Sequence, residues 1–226
     1  MFDGKSACPS DKSRNGAIMC CRYYFSENEP AFKEALAKAL ASSLRERFIK
    51  EYARPVITEG EVRPTDIVPV VASNRNGERS AFPMKWGFTM PGSKNVIVNA
   101  RVESAAEKPM FREAWQRRRC MIPASWYYEW EHFTSPDGRK KTGDKFMIQP
   151  SGSHAAWLCG LYTFENGLPA FTVITREPAG EVCRIHDRMP LMLPADRIDE
   201  WINPAVKPEP LLSYALTDMV ITRQTG

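Results

Sequence analysis

The sequence predicts an α+β fold: a single domain dominated by a curved antiparallel or mixed β-sheet or barrel, with flanking helices. Three observations carry that expectation. Short β-branched and aromatic runs recur between residues 67 and 176, and helical periodicity is confined to a few segments. Asn-Gly pairs at Asn76-Gly77 and Asn166-Gly167 supply hairpin turn chemistry between such runs. A length of 226 residues suits one full domain.

Taken in order, residues 1–18 are polar and punctuated by Gly and Ser, without the apolar centre of a signal peptide. They are expected to be a disordered or non-native leader ahead of a domain spanning 19–226. Met19, Cys20, Cys21, Arg22, Tyr23, Tyr24 and Phe25 then read as a first strand. Residues 31–50 place Phe32, Leu36, Leu40, Leu44 and Phe48 at spacing four, which predicts one amphipathic helix with Pro30 in its first turn. Strands are expected at 67–73, 80–90, 95–102, 145–150, 155–164 and 169–176, and helices at 103–117 and 194–203. The polar stretch 134–144 reads as a hairpin tip. The basic runs Arg117-Arg118-Arg119 and Arg139-Lys140-Lys141 read as solvated surface.

Thirty-one Lys and Arg against 27 Asp and Glu give a net charge of +4. That balance is compatible with a nucleic-acid partner without arguing for one. A composition 43% hydrophobic and 26% charged excludes disordered and collagen-like chains. No apolar run approaches the roughly 18 residues of a spanning helix, so no membrane partner is expected. Six cysteines without C-x-x-C spacing predict reduced thiols and a cytoplasmic chain. Three histidines without paired Cys/His spacing predict no structural zinc, no other metal and no cofactor.

Four segments concentrate reactive residue types: 19–25, 98–104, 125–132 and 184–193. Cys20 reads either as a small buried thiol or, were it N-terminal, as a 1,2-aminothiol. In that form its α-amine, with a reference pKa of about 7.7–8.0, stands beside a thiol near 8.5. Such a group condenses with an aldehyde to a Schiff base and closes to a thiazolidine. His186 reads as a core histidine, or as a proton donor and acceptor in the polar turn marked by Asp187, Arg188 and Pro190. Glu129 alternates with Trp126, Tyr128 and Trp130, so it is either an outward carboxylate or one desolvated by aromatics and suited to acid/base work. Asn99 is a structural amide or an orienting group. Arg22, Arg101 and Arg188 are solvated, or they bind an anion such as phosphate. Trp86 is a core aromatic or a base-stacking platform.

In this order and at these separations the segments resemble the SOS-response-associated peptidase (SRAP) family, also described as the abasic-site processing proteins. The resemblance rests on Met19-Cys20-Cys21-Arg22-Tyr23, Trp86-Gly87-Phe88, Asn99-Ala100-Arg101-Val102-Glu103, Tyr128-Glu129-Trp130 and Ile185-His186-Asp187-Arg188-Met189-Pro190, and it covers residues 19–205. Cys21 stands where the family usually has Gly, and the closing segment DMVITRQTG matches the family poorly. The resemblance implies binding of single-stranded DNA at an abasic site, with Cys20, exposed by removal of residues 1–19, as the covalent nucleophile. It implies that Asn99 holds the nucleophile, Glu129 transfers protons and His186 assists sugar ring opening. Arg22, Arg101 and Arg188 would contact phosphates, and Trp86 would pack near the strand. The implied protein is a monomeric crosslinking enzyme of the DNA-damage response, nucleoid-associated when on DNA, with possible removal of its own leader.

Two other readings stay open at this point. A cysteine peptidase or amidohydrolase would use Cys20, His186 and Asn99. A non-catalytic single-stranded nucleic-acid-binding module would use only the arginines and aromatics.

Overall fold

The run at 67–73 is apolar at nearly every position, the pattern of a strand covered on both faces. In the computed structural model, which describes residues 22–90, 92–93 and 95–224, it forms β3 (Ile67–Ser73) with its first six residues buried. The expected leader, Met19, Cys20 and Cys21 lie outside the described residues. β3 pairs antiparallel with β4 (Arg79–Trp86) across the Asn76-Gly77 turn, and with β8 (Arg119–Ala124) on its other edge. β8 pairs with β11 (Ala156–Glu165), and β11 with β12 (Leu168–Arg176). Asn166 and Gly167 join that last pair, both at positive φ (51° and 74°), the conformation of a type I′ turn. β12 returns to β4 in parallel register, so β11, β8, β3, β4 and β12 close on one another as a barrel.

Two short strands extend β12 beyond the barrel. β7 (Asn99–Arg101) lies parallel to it, with Thr175 opposite Arg101. β13 (Met189–Pro190) lies antiparallel, with Thr175 opposite Pro190. A second, antiparallel sheet has the order β14 (Met219–Gln224), β10 (Lys140–Pro150), β9 (Trp126–Thr134), β1 (Tyr23–Phe25) and β2 (Gly60–Val62). The expected fold class holds, and the segment at 219–224 is a regular strand despite its poor motif match.

Several elements differ from expectation for identifiable reasons. The helix expected at 31–50 is two, α1 (Lys33–Ala41) and α2 (Leu44–Tyr52). Ser42 turns extended (φ −71°, ψ 136°), and its hydroxyl accepts the Leu44 N–H, a local bond that competes with helix continuation. The break lets Phe32 enter the main core while Phe48 packs in a separate cluster with Val56, Ile67 and Leu168. The helix expected at 103–117 divides into α3 (Val102–Ala105) and α4 (Pro109–Arg117), because Pro109 cannot continue a helix but starts one well. The 194–203 segment is a 3₁₀ turn followed by the short α5 (Ile198–Ile202). The hairpin tip shrinks to residues 135–139, its flanks belonging to β9 and β10.

Arg119 corrects the solvated-run reading. It is 1% exposed and donates to the carbonyls of Trp115, Gln116, Trp201, Asn203 and Val206 at 2.5–2.9 Å. Cys120 and Cys159 are free, buried thiols whose pKa is raised by desolvation. Cys183 is disulfide-bonded, which corrects the expectation of reduced thiols throughout. Among the described residues, no helix is long and apolar enough to cross a membrane.

The strand expected at 80–90 breaks at Gly87, which takes φ +108° and leads into β5 (Phe88–Thr89), paired with β6 (Val96–Ile97). A Cβ at Gly87 would stand 2.8 Å from both Cβ and Cγ2 of Val96. Gly87→Ala combines a strained backbone with overpacking, and is expected to cost about 2–4 kcal/mol. The check is the urea midpoint at unchanged m-value; a loss below about 0.5 kcal/mol would show that β6 moves aside at no cost.

Candidate active site

The site is assembled where the second sheet meets the end of β12. In β9, aromatic and acidic side chains alternate, and Glu129, opposite Phe146 of β10, turns inward. It is 1% exposed, and its Oε1 accepts the Trp130 N–H at 3.2 Å. The outward reading of Glu129 therefore gives way to the desolvated one. β1 delivers Arg22 beside it: the Arg22 carbonyl accepts the Tyr128 N–H at 2.9 Å. Arg22 is half-buried, paired with Glu61 at 2.7 Å and set 5.3 Å from the centre of the Trp130 ring. Lys145 also reaches Glu61, at 3.0 Å, and sits 3.7 Å from the Tyr128 ring centre.

His186 follows a 3₁₀ turn (Gly180–Arg184), and its own N–H donates to the Val182 carbonyl at 3.1 Å. The ring is 2% exposed. Its Nδ1 accepts the Arg188 N–H at 3.1 Å and lies 3.0 Å from Asp187 Oδ1. Both of these contacts are made at Nδ1. His132, not singled out in the sequence, packs edge-on to His186 with ring centroids 5.7 Å apart. One donor atom from each of Glu129, His132 and His186 lies within 4.8 Å of the others. In a regular strand Glu129 and His132 would point to opposite faces. The pairing beside them is irregular: the register shifts on the facing strand between Thr142 and Lys145, where a bulge increases the local twist.

The remaining predicted residues divide. Asn99 is half-buried at the start of β7. Arg101 is exposed and, with Asn99, Lys108 and Met110, lines a cleft of about 480 Å³. Arg188 is 8% exposed, and its guanidinium is committed to the two Glu103 oxygens at 2.8 and 2.7 Å and to the Thr175 carbonyl at 2.8 Å. These bonds tie the His186 turn to the chain after β7. Trp86 takes the core-aromatic alternative. It is fully buried, stacks with Phe171 and donates from Nε1 to the Val98 carbonyl at 3.0 Å, so it has no face to offer a base. It supports β7 from beneath.

Glu103 and Glu61 add a pH dependence. Burial by itself raises both carboxyl pKa values, but the hydrogen bonds from Arg188 to Glu103, and from Lys145 and Arg22 to Glu61, outweigh it and hold both below the usual carboxylate range. The unfolded chain, with carboxyls near about 4.3, then binds protons more readily than the native state. The stability these pairs contribute is present above that value and is lost as pH falls through the folded values. The urea midpoint is expected to drop on acidification from pH 6 to pH 3, and to drop less in Glu103→Gln. Equal acid sensitivity in the variant would remove Glu103 from this account.

Comparison with known proteins bears on the same segments. A family model described as SOS response associated peptidase (SRAP) matches residues 19–222. The abasic site processing protein YoaM of Bacillus subtilis is 34% identical over 161 residues, 65% of this chain and 69% of that protein. The abasic site processing protein YedK of Escherichia coli is 28% identical over 215 residues, 91% and 89% of the two. Among solved structures, a phage-related protein from Bordetella bronchiseptica superposes with a TM-score of 0.65 at 18% identity, covering 92% of this chain and 95% of its own. A protein from Bacteroides thetaiotaomicron gives 0.66 at 20% identity, covering 90% and 92%. These likenesses concern the fold.

Proposed function

Since the chain belongs to the SOS response associated peptidase family, we propose that it processes abasic sites in DNA, and that it does so on single strands by forming a covalent thiazolidine through Cys20. The observation that carries this reading is the meeting of β1 with β9. Arg22, two residues after Cys20, is anchored by its carbonyl to Tyr128, next to buried Glu129, whose carboxylate lies within 4.8 Å of a His186 nitrogen. A nucleophile preceding β1 comes just before a strand paired with the one that carries Glu129, one of two proton-transfer groups that lie within 4.8 Å of each other.

Each step follows from those groups. The abasic sugar must open to its aldehyde, which requires moving the proton of the C1′ hydroxyl towards the ring oxygen. His186 Nε2 suits that transfer. The Cys20 amine adds to C1′, and the resulting carbinolamine loses water, helped by proton transfer at Glu129, to give a Schiff base. The thiol sulfur then bonds to C1′, its proton passes to nitrogen, and the five-membered ring closes. Capture removes the iminium, and with it the acidity at C2′ that leads to strand cleavage. Asn99 orients the nucleophile, while Arg101 and Lys108 in the cleft, together with Arg22, favour a phosphate backbone.

The mechanism needs a free α-amine on Cys20, so residues 1–19 must be removed. A chain beginning at Cys20, mixed with a single strand carrying one abasic site, is expected to give an adduct that survives SDS and heat, and none with the undamaged strand. No adduct from that chain would sink the reading. Intact-mass measurement of the full chain follows loss of residues 1–19, which ties adduct formation to processing.

A further inference from the structure

We propose that Glu129, His132 and His186 form a binding site for a divalent cation of the zinc class. The proposal concerns the pocket of the preceding reading, but its binding test needs no DNA and stands or falls separately. Two imidazoles and one carboxylate are a ligand set that zinc takes with a fourth position left open, and imidazole nitrogen favours zinc and its first-row neighbours over calcium or magnesium. The three donor atoms lie within 4.8 Å of one another. Ligands around a tetrahedral zinc stand about 3.3 Å apart, so side-chain adjustments of about 1 Å close the site.

The surroundings favour a cation. Glu129 and His186 are 1% and 2% exposed, where a carboxylate gains from a nearby positive charge. Half-buried His132 gives the site its open side. Ligation through His186 Nε2 takes the tautomer with its proton on Nδ1, which gives up the Arg188 N–H contact and donates to Asp187 Oδ1 at 3.0 Å, the outer carboxylate that orients a metal-bound histidine. His132 and His186 come from distant parts of the chain and meet only in the fold, which is why sequence spacing argued against any metal. A cation held here would engage Glu129 and His186, the groups assigned to proton transfer, and so suppress adduct formation.

The test is calorimetric titration of the metal-free full chain with ZnCl2 at pH 7, using Cys20→Ala so that the proposed nucleophile is not a ligand. One equivalent is expected to bind. His132→Phe should weaken binding at least about 100-fold and Asp187→Asn about 10- to 100-fold, with unchanged circular dichroism reporting that both fold. Titration with CoCl2 is expected to show no thiolate-to-cobalt charge-transfer band. Absence of zinc binding, affinity unchanged in His132→Phe, or a thiolate band would each overturn the site. In a parallel arm, ZnCl2 is expected to slow adduct formation by the chain beginning at Cys20. If that chain gives no adduct even without zinc, the crosslinking reading fails while the titration still decides the cation site.

Discussion

Cys20→Ala, in a chain beginning at residue 20, is expected to abolish the heat-resistant adduct with abasic single-stranded DNA altogether. The size of the effect follows from the chemistry. Alanine keeps the α-amine, so a Schiff base still forms, but it remains an iminium that water reverses or that drains into strand cleavage. The thiol adds the second bond to C1′ and removes the iminium. The variant is therefore expected to exchange a stable crosslink for a transient one that borohydride traps, together with more cleaved strand. Serine at position 20 is expected to behave like alanine, because a hydroxyl is a far weaker nucleophile than a thiol near neutral pH. Denaturing gels with and without borohydride separate the outcomes. A heat-stable adduct of undiminished yield from Cys20→Ala would mean that another group forms the bond, and Cys21 would be the first to replace.

Arg119→Ala is expected to be the most destabilising single substitution at a site remote from the chemistry. One buried guanidinium satisfies five backbone carbonyls, from the end of α4 and from α5 with the loop that follows it. Burial lowers its pKa to about 10, so it stays charged at neutral pH. Removing it leaves several carbonyls without donors in a water-poor place. The expected loss is about 4–5 kcal/mol, or a fall in Tm of roughly 10–15 °C for a chain of this size. Lysine is expected to recover less than half, since an ammonium cannot reproduce the planar fork. A loss under about 1 kcal/mol would show that water reaches these carbonyls.

Those two residues also show what the sequence carries and what it conceals. Arg119 stands third in a basic run and reads as surface, because the carbonyls that bury it belong to residues as distant as Val206. β3 was legible because its apolar run has one explanation, and the Asn166-Gly167 turn because few pairs accept two positive φ values. The split of the 31–50 helix was not, since the spacing of four runs unbroken through Ser42 and the break serves two separate cores. In the site, the alternation around Glu129 left its direction open, and only its burial in the assembled fold decided it. His132 and the fork from Arg188 to Glu103 depend on tertiary pairing that no local pattern encodes.

One residue of β12 carries more than its position suggests. Thr175 faces Arg101 on one edge and Pro190 on the other, so the segments bearing Asn99 and His186 are indexed to the same rung of a barrel strand. The distance between the two halves of the site is thus a property of the hydrogen-bonded ladder and not of the loops. Length changes at remote connections, such as the 135–139 tip, leave that spacing alone, whereas a one-residue slip of β12 would displace both halves at once and turn its side chains to the opposite faces. Diversification of the chain can therefore proceed at its periphery while the reactive pocket keeps its dimensions.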